Sequence, residues 1–594
     1  MVGFPFFHPI RTGIANLLRP STDQAVECYC RSQALVRQRG IQHRTIVNGS
    51  VLDETSEVSM EANRVPLSPI SFLNRTADVF PHKAAVLVGD GSRITNSEFR
   101  TRTTRLANGL IAMGLNQGDR VAVLAPNDLQ LLEAHFGVPG AGCVLVALNT
   151  RLSSREYSQI LADALPRVLI VDQTLLAGIE DAATTIPSIE RMLVVHSESG
   201  AGTVDEDYEQ WLSSAAASES LRLPKHEDQP IAINYTSGTT GRPKGAVYTH
   251  RGAYLNALGQ ALGMGLDSSS VFLWTLPMFH CNGWCMTWAV TATGGLHVSL
   301  RAFDPDRVLK IIERERVTHF CGAPVILNAM ATATGGPQQE YSHKVIVATG
   351  GAPPSPTVIE RMQSLGIHVR HLYGLTETYG PSLICEPQPE WSLLDVDRLA
   401  QRISRQGVRT VNVEAARVVD NTGDDVASDG ETLGEIVIRS NTVMAGYFGD
   451  DIATSDALGD GWFHTGDLAV VHEDGYIEVR DRSKDIIISG GENISSIEVE
   501  NVILSHPKVS DAAVVATSDE KWGEVPVAFV TLLDGESAQE SEIVEWVRST
   551  LAHYKAPKVV VFGPLPKTST GKTQKHQLRE RAAATDRINT QDQE

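Results

Sequence analysis

The stretch Tyr235-Thr236-Ser237-Gly238-Thr239-Thr240-Gly241-Arg242-Pro243-Lys244-Gly245 gathers four Ser and Thr hydroxyls, three glycines and a lysine directly after the apolar run Ile231-Ala232-Ile233. Glycines let backbone N–H groups turn toward an anion, hydroxyls add neutral donors, and a lysine adds positive charge beside a polyphosphate. This is the chemistry of a phosphate cradle. It departs from the G-x-x-x-x-G-K-[ST] spacing of the Walker loop, because Lys244 comes after Pro243 and precedes Gly245, which disfavours a common P-loop nucleoside triphosphatase. Further along, His371-Leu372-Tyr373-Gly374-Leu375-Thr376-Glu377-Thr378 supplies an aromatic ring suited to a flat base, a hydroxyl and a carboxylate. Asp467, in Thr465-Gly466-Asp467, is an ionised acceptor-only group of the kind that takes hydrogen bonds from two adjacent hydroxyls. Lys572 closes Pro566-Lys567-Thr568-Ser569-Thr570-Gly571-Lys572, a loop of the type on which catalytic groups concentrate.

Such loops need strands and helices to aim them. β-type runs at Ala84–Val88, Val121–Leu124, Val144–Val146, Val168–Val171 and Met192–Val195 alternate with helical spacing, as in Leu106–Leu115, and this predicts α/β layers with largely parallel sheets. Lys344–Val347 reads as a strand ending in the tight turn Ala348-Thr349-Gly350-Gly351-Ala352-Pro353-Pro354, and Gly434–Arg439 as another. From Ser496 the pattern changes to a helix to Leu504, strands at Val509–Val515 and Val525–Leu533, and a helix over Glu540–Leu551, a compact α+β unit of ordinary domain size.

The chain of 594 residues is too long for one core. It has no apolar run long enough to span a bilayer. A formal charge of −20 argues against a nucleic-acid surface, so anionic substrates must be met by local cations and metal. Seven scattered cysteines without a C-x-x-C pair fit a reducing intracellular compartment. Residues 1–45 hold Arg11, Arg19, Arg31, Arg37, Arg39 and Arg44 against Asp23 and Glu27, a composition shared by organellar leaders and by basic surface arms. Cytoplasm is the default placement, with peroxisome and mitochondrion as the alternatives; the C-terminal Gln591-Asp592-Gln593-Glu594 is not the S-K-L peroxisomal address.

Taken together and in this order, the motifs resemble the adenylate-forming (AMP-binding) superfamily, in its acyl-CoA synthetase branch of short- or medium-chain or fungal specialised-metabolism type. The resemblance runs from about Pro66 to Arg581. It implies an α/β fold with a large N-terminal domain of several layered subdomains, residues 66–482, and a small mobile α+β C-terminal domain, residues 484–594, after an N-terminal extension, residues 1–65, that is a targeting or disordered segment. It also implies roles. Thr236 to Lys244, including Ser237, Gly238, Thr239, Thr240, Gly241, Arg242 and Pro243, would hold the phosphates of ATP. Gly351, Ala352, Tyr373 and Gly374 would line the adenine and acyl region, Thr376 would contact the α-phosphate and Glu377 would bind Mg2+. Asp467 would hold the ribose, Arg482 the ribose-phosphate region, and Lys484 would be the hinge. Lys572 would bridge the substrate carboxylate and the α-phosphate, while Gly490, Gly491 and Glu492 would face CoA. His280, in Pro277-Met278-Phe279-His280-Cys281-Asn282-Gly283-Trp284, is expected at the reacting groups, and Trp284, Ala323 and Tyr379 at the acyl pocket.

The implied reaction is ATP-dependent ligation of a small carboxylic acid to CoA through an acyl-adenylate, with Mg2+ assisting and no nucleic-acid partner. Two rivals stay open at this stage: an acyl-AMP ligase that loads a carrier-protein thiol, and a non-catalytic nucleotide sensor. The sequence leaves the acid, its pathway and the oligomeric state undetermined.

Overall fold

Strands such as Val121–Leu124 and Val168–Val171 carry unbroken aliphatic runs, the pattern of strands covered on both faces, and all of these residues are buried. They belong to a computed structural model that describes residues 63–89, 91–196, 206–217, 221–236, 243–333, 341–351, 354, 356–482, 485–490, 492–519, 521–567 and 573–591. Among the described residues the strands form sheets of nine, eight, four and five strands.

The eight-stranded sheet runs in the order Gly446–Tyr447, Lys244–Thr249, Pro230–Thr236, Val144–Ala147, Arg120–Leu124, Val168–Asp172, Arg191–Val195, Glu206–Asp207. From Pro230–Thr236 onward the pairing is parallel, with Leu145 opposite Ala232 and Val121 opposite Val168. The other edge is an antiparallel hairpin whose last pair is Thr236 with Lys244.

The nine-stranded sheet has a parallel centre of Ile367–Leu375, Val345–Thr349, His319–Gly322, Val271–Leu273, Leu296–Val298 and Ala84–Leu87, and antiparallel edges. Parallel neighbours need covered crossovers. The helix Pro305–Glu315 is one of them: proline stands at its first position, Asp304 caps it by accepting from the Arg307 N–H at 2.7 Å, and Val308, Leu309, Ile311 and Ile312 face the core. The helix Leu129–Gly140 is buried nearly all round, and one core joins its residues to Val121, Val123 and Leu145 of the eight-stranded sheet and to Phe272, Ile346 and Ala348 of the nine-stranded one. The two large sheets therefore share an interior, which fixes the ends of their strands relative to one another.

A four-stranded antiparallel sheet follows, Val413–Val419, Gly434–Ser440, Phe463–Val471 and Ile477–Arg482. The last sheet contains Glu492–Ile494, Ile487–Ser489, Gly523–Leu532, Val509–Asp519 and Val559–Phe562. With the helices Ser496–Leu504 and Glu540–Thr550 it buries a core of its own around Val499, Ile503, Val514, Ile543 and Val547. Among the described residues no helix is long and apolar enough to cross a membrane.

Candidate active site

In sheets with parallel centres, ligands are met beyond the carboxyl ends of the strands, where backbone N–H groups and loop side chains converge. Val271–Leu273 leads to His280, Val345–Thr349 to Gly350 and Gly351, and Ile367–Leu375 to Thr376 and Glu377. These endings border one cleft, lined by His280, Cys281, Trp284, Gly351, Gly374 and Thr376 among others.

The hairpin of the eight-stranded sheet is tied through Tyr447 to Glu377, the residue that follows Thr376 of this cleft. Its short strand pairs antiparallel with Lys244–Thr249, placing Tyr447 opposite Ala246, and the ring lies 4.9 Å from Lys244 Nζ. The Tyr447 hydroxyl donates to Glu377 Oε1 at 2.8 Å, and the Glu377 carbonyl accepts from the Met444 N–H at 2.8 Å. Burial and the adjacent Glu377 charge push the Tyr447 phenol above its ordinary range, so it stays a donor. From the other side, the Tyr248 hydroxyl donates to the Thr376 carbonyl at 2.8 Å. The lysine leaving the anion loop and the carboxylate of the octet are thereby fixed by one side chain that sequence reasoning passed over; a two-residue strand far along the chain offers no local signal.

A second convergence joins three expected nucleotide contacts. Asp467, 5% exposed, accepts from the Tyr373 hydroxyl at 2.7 Å and pairs with Arg482 Nε at 3.1 Å. The strands Phe463–Val471 and Ile477–Arg482 are antiparallel with Asp467 opposite Arg482, which sets this pair. Burial opposes the Arg482 charge, but Asp467, Asp485 and Glu377 outweigh it and hold the guanidinium above its ordinary pKa. His371, at the start of the octet, is a framework residue: its buried ring is 2.8 Å from the Arg405 carbonyl, and desolvation pushes it down to about 4, so it is neutral.

The wall of the cleft carrying Trp284 has an uncommon backbone. Cys281, Asn282, Gly283, Trp284 and Cys285 have φ of 47°, 49°, 63°, 54° and 60°, a full turn of left-handed helix. For L-residues this costs roughly 1–2 kcal/mol each, and such strain persists only where surrounding contacts impose it. His280 precedes the turn at φ −90°. The Trp284 ring lies against two glycines: a Cβ on Gly350 would stand 3.4 Å from Trp284 Cη2, and one on Gly380 would stand 3.2 Å from Cδ1. The expected acyl-pocket residues Ala323 and Tyr379 do not line this cleft. Ala323 starts the helix Pro324–Ala331, and Tyr379 is fully buried behind the wall, stacked on Tyr248 at 3.5 Å.

At the C-terminal end, a bridge between Lys567 and Thr573 and a 2.8 Å bond from the Gln574 N–H to the Pro566 carbonyl close the base of the loop that holds Lys572 in the sequence. Lys575, partly buried, bonds Ser496 Oγ at 2.5 Å and Glu500 Oε1 at 2.8 Å. Arg480 and Asp481 meet the start of the helix Ser496–Leu504: Ser495 Oγ donates to the Arg480 carbonyl and the Ser496 N–H to Asp481 Oδ2, each at 2.5 Å. Gly490 turns at φ 61° with its N–H on the Trp522 carbonyl at 2.7 Å, and Glu492 begins the next strand. Ser237, Gly238, Thr239, Thr240, Gly241, Arg242, Ala352, Lys484, Gly491 and Lys572 lie outside the described residues.

Among the described residues no cluster of three or more His, Cys, Asp or Glu suits a metal. A single oriented carboxylate, Glu377, is nonetheless the donor set that Mg2+ accepts when phosphate oxygens and water complete its shell.

Residues 73–448 match the profile of the AMP-binding enzyme family, and residues 498–572 that of the AMP-binding enzyme C-terminal domain. The chain is 43% identical to the acetate/butyrate–CoA ligase AAE7, peroxisomal, of Arabidopsis thaliana, over 88% of this chain and 95% of the relative. It is 44% identical to the 2-methylpropanoate–CoA ligase CCL4 of Humulus lupulus, over 88% and 96%. Among solved structures, the anthranilate CoA ligase AuaEII in complex with anthranoyl-AMP superposes with a TM-score of 0.79 at 25% identity, covering 88% of this chain and 99% of that one. ATP-bound MatB from Rhodopseudomonas palustris superposes with a TM-score of 0.76 at 28% identity, covering 86% and 98%. With most of its length matched by the profile, and relatives this similar along nearly their whole length, the chain belongs to the AMP-binding enzyme family.

Proposed function

We propose that this chain ligates short-chain carboxylic acids, straight or branched, to coenzyme A through an acyl-adenylate. The chain is an AMP-forming acyl-CoA ligase that uses ATP, Mg2+ and CoA; what is proposed is the acid and the residues that serve each step. The acid class rests on the relatives named for acetate, butyrate and 2-methylpropanoate, and on the cleft in which the Trp284 ring fills the space between Gly350 and Gly380. Four relatives carry "peroxisomal" in their names, which supports a peroxisomal location for this chain as well.

The observation that carries the assignment of residues is the meeting of Lys244 and Glu377 on Tyr447. Glu377 would hold Mg2+, which would offset negative charge on the phosphates. Lys244 stands at the exit of the hydroxyl-rich loop and adds a fixed positive charge there. Asp467 takes the ribose hydroxyls, and Tyr373 offers its ring to the adenine. In the first half-reaction a carboxylate oxygen attacks the α-phosphorus and the bond to pyrophosphate breaks, with Lys572 and Thr376 on the reacting oxygens. In the second, the CoA sulfur attacks the acyl carbon, the bond to AMP breaks and the thiol proton is released, with Gly490, Gly491 and Glu492 beside the incoming arm and His280 on the cleft wall. Two anions must approach each other in the first step, so preorganised positive groups contribute most of its acceleration.

A panel of straight and branched acids, scored by pyrophosphate release and by CoA thioester formed, tests the proposal. Acetate, butyrate and 2-methylpropanoate should give both products. Activity confined to long-chain or aromatic acids would overturn the acid class, and thioester formed on a carrier protein but never on CoA would replace the acceptor.

A further inference from the structure

The left-handed turn at residues 281–285 is held from behind by a buried polar tie. The Tyr379 hydroxyl donates to Asn282 Oδ1 at 3.0 Å. Asn256 Nδ2 donates to the Tyr379 carbonyl at 2.8 Å and to Cys285 Sγ at 3.3 Å, so one amide grips both sides. Gln260 Nε2 in turn donates to Asn256 Oδ1 at 3.0 Å, and Thr287 Oγ1 to the Asn282 carbonyl at 3.1 Å. Asn256, Asn282, Thr287 and Tyr379 are fully buried.

Two features show that the tie imposes an arrangement the local sequence would not adopt. Four of the five residues in the turn carry side chains in a conformation that favours glycine, and Tyr379 shares it at φ 63°, followed by Gly380 at φ 91°. In addition, Asn282 Nδ2 is buried with no hydrogen-bond partner among the described residues, an arrangement that costs free energy unless something else requires the side chain there. What the tie holds in place is Trp284, whose ring stands against the Gly380 backbone that directly follows Tyr379.

We propose that Tyr379 and Asn256 are positioning residues for acyl selection: acting through Asn282 and Cys285, they lock the left-handed turn so that Trp284 stays between Gly350 and Gly380 and shortens the acyl end of the cleft. This rests on the short-chain reading above. Loosening the tie lets the turn relax toward right-handed backbone and carries the indole away from the glycines. The polar tie bears on the acid: Glu377 and Asp467 are held by Tyr447 and Arg482, and Tyr248, which holds the Thr376 carbonyl, meets Tyr379 through ring stacking and not through the hydroxyl that makes the tie.

The test uses the full-length enzyme. Tyr379→Phe removes the single hydroxyl and keeps the ring stacked on Tyr248. Asn282→Gly removes the acceptor while supplying the residue best suited to the backbone of the turn, so it remains informative where the first variant folds poorly. Both should raise kcat/KM for octanoate relative to butyrate by about tenfold, the scale on which pocket fit discriminates among acyl chains, with the change mainly in KM for the acid and KM for ATP moving less than about twofold. In the double variant the two shifts should fail to add, because each removes the same bond. A uniform fall for every acid with an unchanged octanoate-to-butyrate ratio would overturn the proposal and leave the tie a structural element. Wild-type enzyme that activates no short acid would instead bring down the short-chain reading on which the proposal rests.

Discussion

Tyr447 donates its hydroxyl to Glu377 Oε1 at 2.8 Å while its ring lies 4.9 Å from Lys244 Nζ, so one residue spans the carboxylate of the octet and the lysine at the exit of the hydroxyl-rich stretch. Tyr447→Phe keeps the ring beside Lys244 and removes only the bond to Glu377. A hydrogen bond to a charged group contributes enough that affinity for ATP in the presence of Mg2+ should weaken by about tenfold. Affinity measured in EDTA should stay near that of the wild type. Equal weakening with and without metal, by calorimetry, would show that the hydroxyl does not serve the carboxylate as a metal ligand.

Lys572→Ala should remove acid-dependent ATP–pyrophosphate exchange by roughly 10²-fold or more, the cost of one preorganised charge at a reacting centre. Thioester formation from preformed acyl-AMP and CoA should survive. Parallel loss of the two half-reactions would assign Lys572 a different part.

Lys484→Pro restricts the backbone at the junction that follows Asp481, whose carboxylate meets the start of the helix Ser496–Leu504. If Lys484 is the hinge about which the C-terminal part turns for the second step, the expected result is intact pyrophosphate release with thioester formation blocked. Both steps persisting at wild-type rate would refute the hinge.

His371 is neutral at physiological pH because burial pushes it down to about 4 while the unfolded imidazole titrates near 6.5. Below about 6.5 the unfolded chain therefore takes up a proton that the folded chain refuses, and stability falls as pH drops toward 4, by up to about 1.4 kcal/mol per pH unit for this group. His371→Asn keeps a donor for the Arg405 carbonyl and cannot titrate. Denaturant unfolding between pH 7 and 4.5 should show a shallower acid loss in this variant, and an unchanged slope would mean that His371 is protonated in the folded chain.

Much of the scaffold was legible because strands of a parallel sheet announce themselves. The runs Val121–Leu124 and Val168–Val171 appear in the strands Arg120–Leu124 and Val168–Asp172, and the helix expected from Ser496 to Leu504 has those ends. The hydroxyl-rich stretch was legible only in its bounds: the strands before and after it pair antiparallel, with Thr236 opposite Lys244. Contacts made across the fold were not. Tyr447 and Glu377 are 70 positions apart, and the strand that brings them together has two residues, too short for any periodicity. The left-handed turn had only Asn282-Gly283 as a hint, since the conformation of Cys281, Trp284 and Cys285 is imposed by Asn256 and Tyr379 from other elements. Tyr379 was expected at the acyl pocket from its neighbours in sequence, yet the backbone of Gly380 faces the cleft while the tyrosine ring stacks on Tyr248.

The most direct test of the central claim follows the oxygen atoms. If a carboxylate oxygen attacks the α-phosphorus, enzyme turning over with Mg2+, ATP, CoA and butyrate labelled with 18O in both carboxylate oxygens will release AMP carrying one labelled oxygen, and mass spectrometry will find the pyrophosphate unlabelled. Unlabelled AMP, or label in pyrophosphate or inorganic phosphate, would contradict an acyl-adenylate route.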